Sequence, residues 1–213
     1  ISEGSLDHLD ISIHADSLIE YIKETDTPIT IGIQGEWGSG KTSLINSIYS
    51  ALNEGEDEKK KKYKQIWINS WEYSLLSSPE ESLMKIVSKI IQELTKADEG
   101  VKTAEHVGKA AKKVFEGALR IGASVVGGTS GADVAKELFD QTDKSITALR
   151  KQLSLLVGEI KSSNKQMFEK VIVYVDDLDR IEPKNAVAIL ELLKNIFNVK
   201  NCVFILAIDY QVV

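Results

Sequence analysis

The feature that most restricts how this chain can fold is a run of eight residues, Gly35, Glu36, Trp37, Gly38, Ser39, Gly40, Lys41 and Thr42, set between two hydrophobic periodicities. Before it, Ile29 to Gln34 is a β-branched strand pattern that follows the break at Pro28. After it, Leu44, Ile45, Ile48 and Leu52 recur at helical intervals. A strand, a glycine-rich turn and a helix with the spacing G-x-x-x-x-G-K-[ST] make a phosphate-binding loop. Glycine lets the backbone wrap an anion and aim its N–H groups inward, while the following helix adds its positive N-terminal end. Gly35 through Ser43 are therefore the expected nucleotide contacts. Lys41 would neutralise the β and γ phosphates, and the Thr42 hydroxyl would ligate Mg²⁺. At average glycine usage a chance match in a chain of this length is on the order of one in a hundred.

Mg²⁺ held by one hydroxyl and phosphates is incompletely positioned, so a carboxylate is needed as well. The apolar run Lys170 to Val175 supplies it by leading directly into Asp176 and Asp177. A strand ending in acid places Asp176 at the carboxyl edge of an open α/β sheet, where ligands bind. Asp176 is the expected metal-associated residue, and Asp177 the residue that orients or deprotonates the attacking water. The competing reading is that the two aspartates cap the next segment. Asp179 and Arg180 either hold the loop as a charge pair, or Arg180 reaches a neighbouring subunit's nucleotide as an arginine finger. Asp209 follows a fourth strand pattern, Asn201 to Ile208, and is either a γ-phosphate sensor or a plain turn residue. No N-K-x-D sequence follows to read guanine, which favours ATP. Trp37 either shields the phosphates or packs, and Cys202 reads as a small core residue.

The 43% hydrophobic content of the 213 residues suffices for a buried core. A formal charge of −6 gives no global attraction to nucleic acid or anionic membrane. Lys59 to Lys62, the basic half of a charged block at Asn53 to Lys64, forms either a solvated loop or a local phosphate contact. The lone Cys202 excludes an internal disulfide, and His8, His14 and His106 lack metal-ligand spacing. A reducing, cytoplasmic compartment is expected. Further helices are expected at Ala15 to Glu24, after the Ser78-Pro79-Glu81 start signal, and along Ile146, Leu149, Leu153, Leu156 and Ile160. Another strand is expected at Gln65 to Asn69. The small-residue stretch around Arg120 holds about a dozen apolar residues, short of the roughly 20 that cross a bilayer, so membrane attachment is not expected. The fold class is α/β, a parallel-sheet P-loop NTPase with helices on both faces and a helical insertion between the two nucleotide motifs. Residues 1–95 and 166–213 are the expected two parts of the core, and 96–165 the insertion. A start at Ile1 without methionine or leader suggests a piece of something longer.

Four blocks in register, "IGIQGEWGSGKTSLIN", "INSWEYS", "VIVYVDDLDRIEP" and "VFILAIDYQVV", resemble the KAP family of P-loop NTPases. The resemblance runs from about Ile11 to Val213 and is weakest across Lys96 to Ile160. It implies an additional-strand ATPase related to the STAND and AAA signalling ATPases, with the acidic strand inserted between the P-loop strand and others. It makes "WEY" at Trp71 to Tyr73 a family signature. It also implies a fifth strand beside the first and a helical lid in a longer protein. Bacterial relatives include phage-exclusion proteins, with an ATPase fused to effector or sensor domains. The expected activity is Mg²⁺-dependent ATP hydrolysis acting as a switch, with other domains of the same chain and further copies as partners. The alternatives are an ATP-binding module with little turnover and a nucleic-acid-dependent ATPase.

Overall fold

The computed structural model describes residues 10–53, 62–70, 72, 85–86, 88–90, 92–94, 147–159, 168–178, 190, 194 and 198–209. In chain order the elements are α1 (Ile11–Glu24), β1 (Ile29–Gln34), α2 (Lys41–Ala51), β2 (Tyr63–Asn69), β3 (Lys170–Asp176) and β4 (Cys202–Ile208). The four strands form one parallel sheet in the order β1-β4-β3-β2.

Burial explains that order. Every residue of β4, and all of β3 after Lys170, is buried. Each large aliphatic side chain gains roughly 2 kcal/mol from full burial, so these two strands belong at the centre. β1 alternates instead. Ile33 is buried and Ile29 and Ile31 half-buried, while Thr30, Gly32 and Gln34 are exposed, a pattern that loses little at an edge.

The helices α1 and α2 cover one face. Ala15, Ile19 and Ile22 of α1 and Ile45 and Ile48 of α2 pack into one core with Ile33, Tyr63, Ile172, Tyr174, Val203, Ile205 and Ala207. Side chains alternate along a strand, so Val171, Val173 and Val175, with Cys202, Phe204 and Leu206, lie on the opposite face. They too are buried, so both faces of the central strands are covered. Residues 147–159 are helical, and Leu149, Leu153 and Leu156 of the expected stripe are buried with Val157, while Ile146 and Ile160 lie outside the described residues. Ile86, Ile90 and Leu94, helical and buried at i, i+4 and i+8, fit the packed helix expected there.

Two polar fasteners hold the edge opposite the strand C-termini. The Lys170 ammonium donates to the carbonyls of Ile22, Lys23 and Thr25 at 2.7, 2.9 and 2.8 Å. These are end-of-helix carbonyls that have no partner within α1, and a cation there also suits the helix dipole. The Asn201 amide donates to Thr27 Oγ1 at 2.9 Å.

Three expectations need adjusting. β2 begins at Tyr63, two residues early, because Tyr63 and Lys64 already pair with Lys170 and Val171. α1 begins at Ile11, with Asp10 at its N-cap. The strand beside the P-loop strand is β4, and the acidic strand β3 stands one place further across. Most of the expected insertion, Ser78 to Glu81, and Trp71 and Tyr73 lie outside the described residues. No helix among the described residues is long and apolar enough to cross a membrane.

Candidate functional site

β1 delivers the chain to the loop at the C-terminal edge of the sheet, where the Gly35 amide donates to the Ile208 carbonyl at 3.3 Å. The loop then closes on itself, with Ser39 N–H donating to the Glu36 carbonyl at 3.1 Å. Gly38 and Gly40 have φ of 83° and 92°, left-handed values that glycine adopts without a Cβ clash. Gly35 has little space beside it: a Cβ there would collide with Ser39 Oγ and lie 3.1 Å from Ser39 Cβ. Lys41 Nζ folds over the turn and donates to the carbonyls of Gly35 (2.9 Å) and Glu36 (3.2 Å).

The helix α2 starts from Gly40 with no side-chain cap and no acidic residue in its first turn. The first N–H groups of a helix have no intrahelical acceptor, and the dipole makes that end partially positive. Gly40, Lys41, Thr42 and Ser43 line a cleft of about 270 Å³ together with Trp37, Gly38, Asp176 and Asp177. An anion entering it meets an ammonium, helix amides and a glycine-lined wall.

The carboxylates arrive from β3. Asp176 is two residues beyond Tyr174, hence on the face that carries α2. It is 4% exposed, and its Oδ1 accepts from Thr42 Oγ1 at 3.4 Å and from the Asp177 amide at 2.9 Å. Asp177 is half-buried and takes φ of 61° where the chain leaves the sheet. Residues separated by 134 positions thus meet at one corner of the cleft.

Asp209 is buried at the end of β4, between the P-loop strand and β3, but does not line the cleft. Glu36 and Ser39 shape the loop from outside the lining. Trp37, which does line the cleft, is 80% exposed, so it is not a packing residue. Asp179 and Arg180 lie outside the described residues, as do Lys59 to Lys61. Lys62 precedes β2 at the opposite edge of the sheet. Cys202 is buried, and burial pushes its thiol up to about 12. Burial, with Tyr49 adding to it, also raises the Tyr174 hydroxyl, which donates to Gln65 Oε1.

The motifs of the sequence assign no chemical role to Ser70. It is fully buried, and both its amide (3.0 Å) and its hydroxyl donate to the Asp176 carbonyl. Its sequence signals are its place directly after β2 and within the block Ile68 to Ser74 that carries part of the family resemblance. Its neighbour Asn69, in register with Asp176, has a buried side-chain oxygen without a hydrogen-bond partner.

Comparison with known proteins agrees with this architecture. Residues 12–213 match the sequence model of the KAP family P-loop domain. The chain is also 26% identical over 202 residues to the Phage T7 exclusion protein of Escherichia coli (strain K12). That alignment covers 86% of this chain and 26% of the relative, so the chain spans about a quarter of that protein's length.

Proposed function

Because the chain belongs to the KAP family of P-loop domains, we propose that it binds and hydrolyses Mg²⁺-ATP and that its nucleotide state acts as a switch. The observation that carries this reading is the approach of Thr42 Oγ1 to Asp176 Oδ1, 3.4 Å, in a cleft that Lys41 and the start of α2 line on one side and Asp176 and Asp177 on the other.

The residues suit the ligands. A hydroxyl and a carboxylate are hard oxygen donors of the kind Mg²⁺ prefers. Among the described residues no group of three or more His, Cys, Asp or Glu side chains could hold a metal. When bound, Mg²⁺ would neutralise charge on the phosphate oxygens.

The chain's own groups do the rest. The α2 amides and Gly35 through Ser43 cradle the phosphates, with Lys41 supplying positive charge to the β and γ groups. Thr42 and Asp176 orient the metal side. Asp177, on the cleft wall, aligns water for attack or takes its proton. Asp209, buried at the end of β4 and off the cleft lining, would sense the γ-phosphate only through the groups that line it, and Arg180 either holds the loop with Asp179 or serves as an arginine finger. The named relative is a phage exclusion protein, which supports a defence role for this domain.

Phosphate release with ATP and Mg²⁺ tests this. Lys41→Ala and Asp177→Asn should each abolish it, and undiminished turnover in both would refute the proposal. Asp177 has one methylene fewer than a glutamate, which favours a second reading in which ATP is bound tightly and turned over little. Fast single-turnover hydrolysis without a partner excludes it.

A further inference from the structure

Building on the reading of Asp177 as the carboxylate that aligns water, we propose that Ser70 is the positioning residue for Asp177, acting through the peptide group between Asp176 and Asp177.

The three buried polar side chains among the described residues are Ser70, Asp176 and Asp209, all just at or beyond the C-terminal ends of strands. A buried hydroxyl is retained only where it has a partner. Ser70 uses its hydroxyl on the Asp176 carbonyl, although its own amide already donates to that oxygen at 3.0 Å. Two donors from one residue therefore converge on one acceptor.

That acceptor is half of a rigid unit. The peptide group is planar, so fixing its C=O and its N–H fixes its plane. Ser70 holds the carbonyl end. The N–H end, which belongs to Asp177, donates to Asp176 Oδ1 at 2.9 Å, the oxygen that also receives the Thr42 hydroxyl. With the plane fixed, the direction of the Asp177 side chain depends on its own φ, which is 61°.

Left-handed φ is disfavoured for a residue with a Cβ, less so for aspartate than for most, so an unrestrained Asp-Asp peptide would spend most of its time with Asp177 at negative φ. Here the surroundings impose the conformation that puts Asp177 on the cleft wall. β2 ends at Asn69 opposite Asp176, so the next residue is the first that can reach past the ladder to the departing chain. Any residue there supplies an amide. Serine adds the second donor with the shortest side chain that can carry one.

The test uses Ser70→Ala, Ser70→Cys and Ser70→Thr in the whole chain. Cysteine is close to serine in shape but a weak donor, whereas threonine keeps the hydroxyl. Hydrogen exchange of the Asp177 amide is measured without nucleotide, alongside single-turnover hydrolysis and Mg²⁺-ATP affinity. The alanine and cysteine variants should exchange that amide about tenfold faster, the equivalent of one net hydrogen bond, with the amides of Ile172 to Val175 unchanged. Their hydrolysis rate should fall about tenfold with affinity within about twofold, and threonine should restore both. Unchanged Asp177 exchange in Ser70→Ala overturns the proposal, as does a rate and an affinity that fall together. Full hydrolysis in Asp177→Asn would remove the role of Asp177 itself, while the exchange data would still report whether Ser70 holds the peptide.

Discussion

Gly35→Ala asks whether the loop is built by space or by backbone freedom. Its added Cβ would strike Ser39 Oγ, sit 3.1 Å from Ser39 Cβ and lie 3.7 Å from Lys41 Cγ. Rotation about χ1 of Ser39 can carry the hydroxyl away, but the backbone fixes Cβ. Relief of that contact needs the turn to open by a few tenths of an ångström. Opening stretches the Ser39–Glu36 bond at 3.1 Å and the Lys41–Gly35 bond at 2.9 Å. Overpacking costs about 1–3 kcal/mol in a closed core, and this loop is exposed enough to yield, so about 1–2 kcal/mol is expected. Whatever the free loop sheds by opening returns as lost affinity when phosphates close it. The sum of the unfolding loss in urea and the Mg²⁺-ATP binding loss by calorimetry is therefore the quantity to compare. Ser39→Gly removes both close contacts, so in the double variant the Gly35→Ala cost should shrink by about 1 kcal/mol or more. Additivity within about 0.5 kcal/mol would refute a steric origin.

Other outcomes follow from the same contacts. Lys170→Met keeps the aliphatic stem but removes three bonds to α1 carbonyls, and should cost about 2 kcal/mol in urea unfolding, given partial exposure; a loss under about 0.5 kcal/mol would count against the fastener. The Cys202 thiol is raised from 9.0 to about 12, so above pH 9 the unfolded chain releases a proton that the folded chain keeps. That contribution to stability is whole below 9 and falls as pH rises towards 12. About 1.4 kcal/mol of it should be lost by pH 10, and Cys202→Ala should flatten the alkaline limb of a stability profile. Trp37 is exposed on the cleft wall, so Mg²⁺-ATP should change tryptophan emission, and Trp37→Phe should erase most of that change.

The parts legible in sequence are those where local pattern and chemistry coincide. The glycine spacing before Lys41 implied a backbone able to wrap an anion, and Gly38 and Gly40 bend it with left-handed φ. The apolar run into Asp176 announced a buried strand ending in acid at the carboxyl edge of the sheet, and the structure has both. Strand neighbours were less accessible. Which apolar strand lies beside β1 depends on long-range pairing between equally apolar candidates, so β3 and β4 could be exchanged in a reading of pattern alone. Trp37 shows a different limit, since an aromatic among glycines gives no sign of whether a core waits for it. Ser70 shows a third, because its bonds go to a backbone carbonyl, which every residue offers.

Ile205 pairs with Ile31 on one side and with Tyr174 on the other. This central seat has a consequence for synthesis on the ribosome. The strand that leads to the loop and the strand that ends in acid are both made before β4, yet they share no ladder of their own. A nascent chain must keep both open edges from pairing elsewhere until residues 202–208 emerge. Assembly of the cleft is thus a late event, and nucleotide could favour the finished sheet only after its central strand has entered.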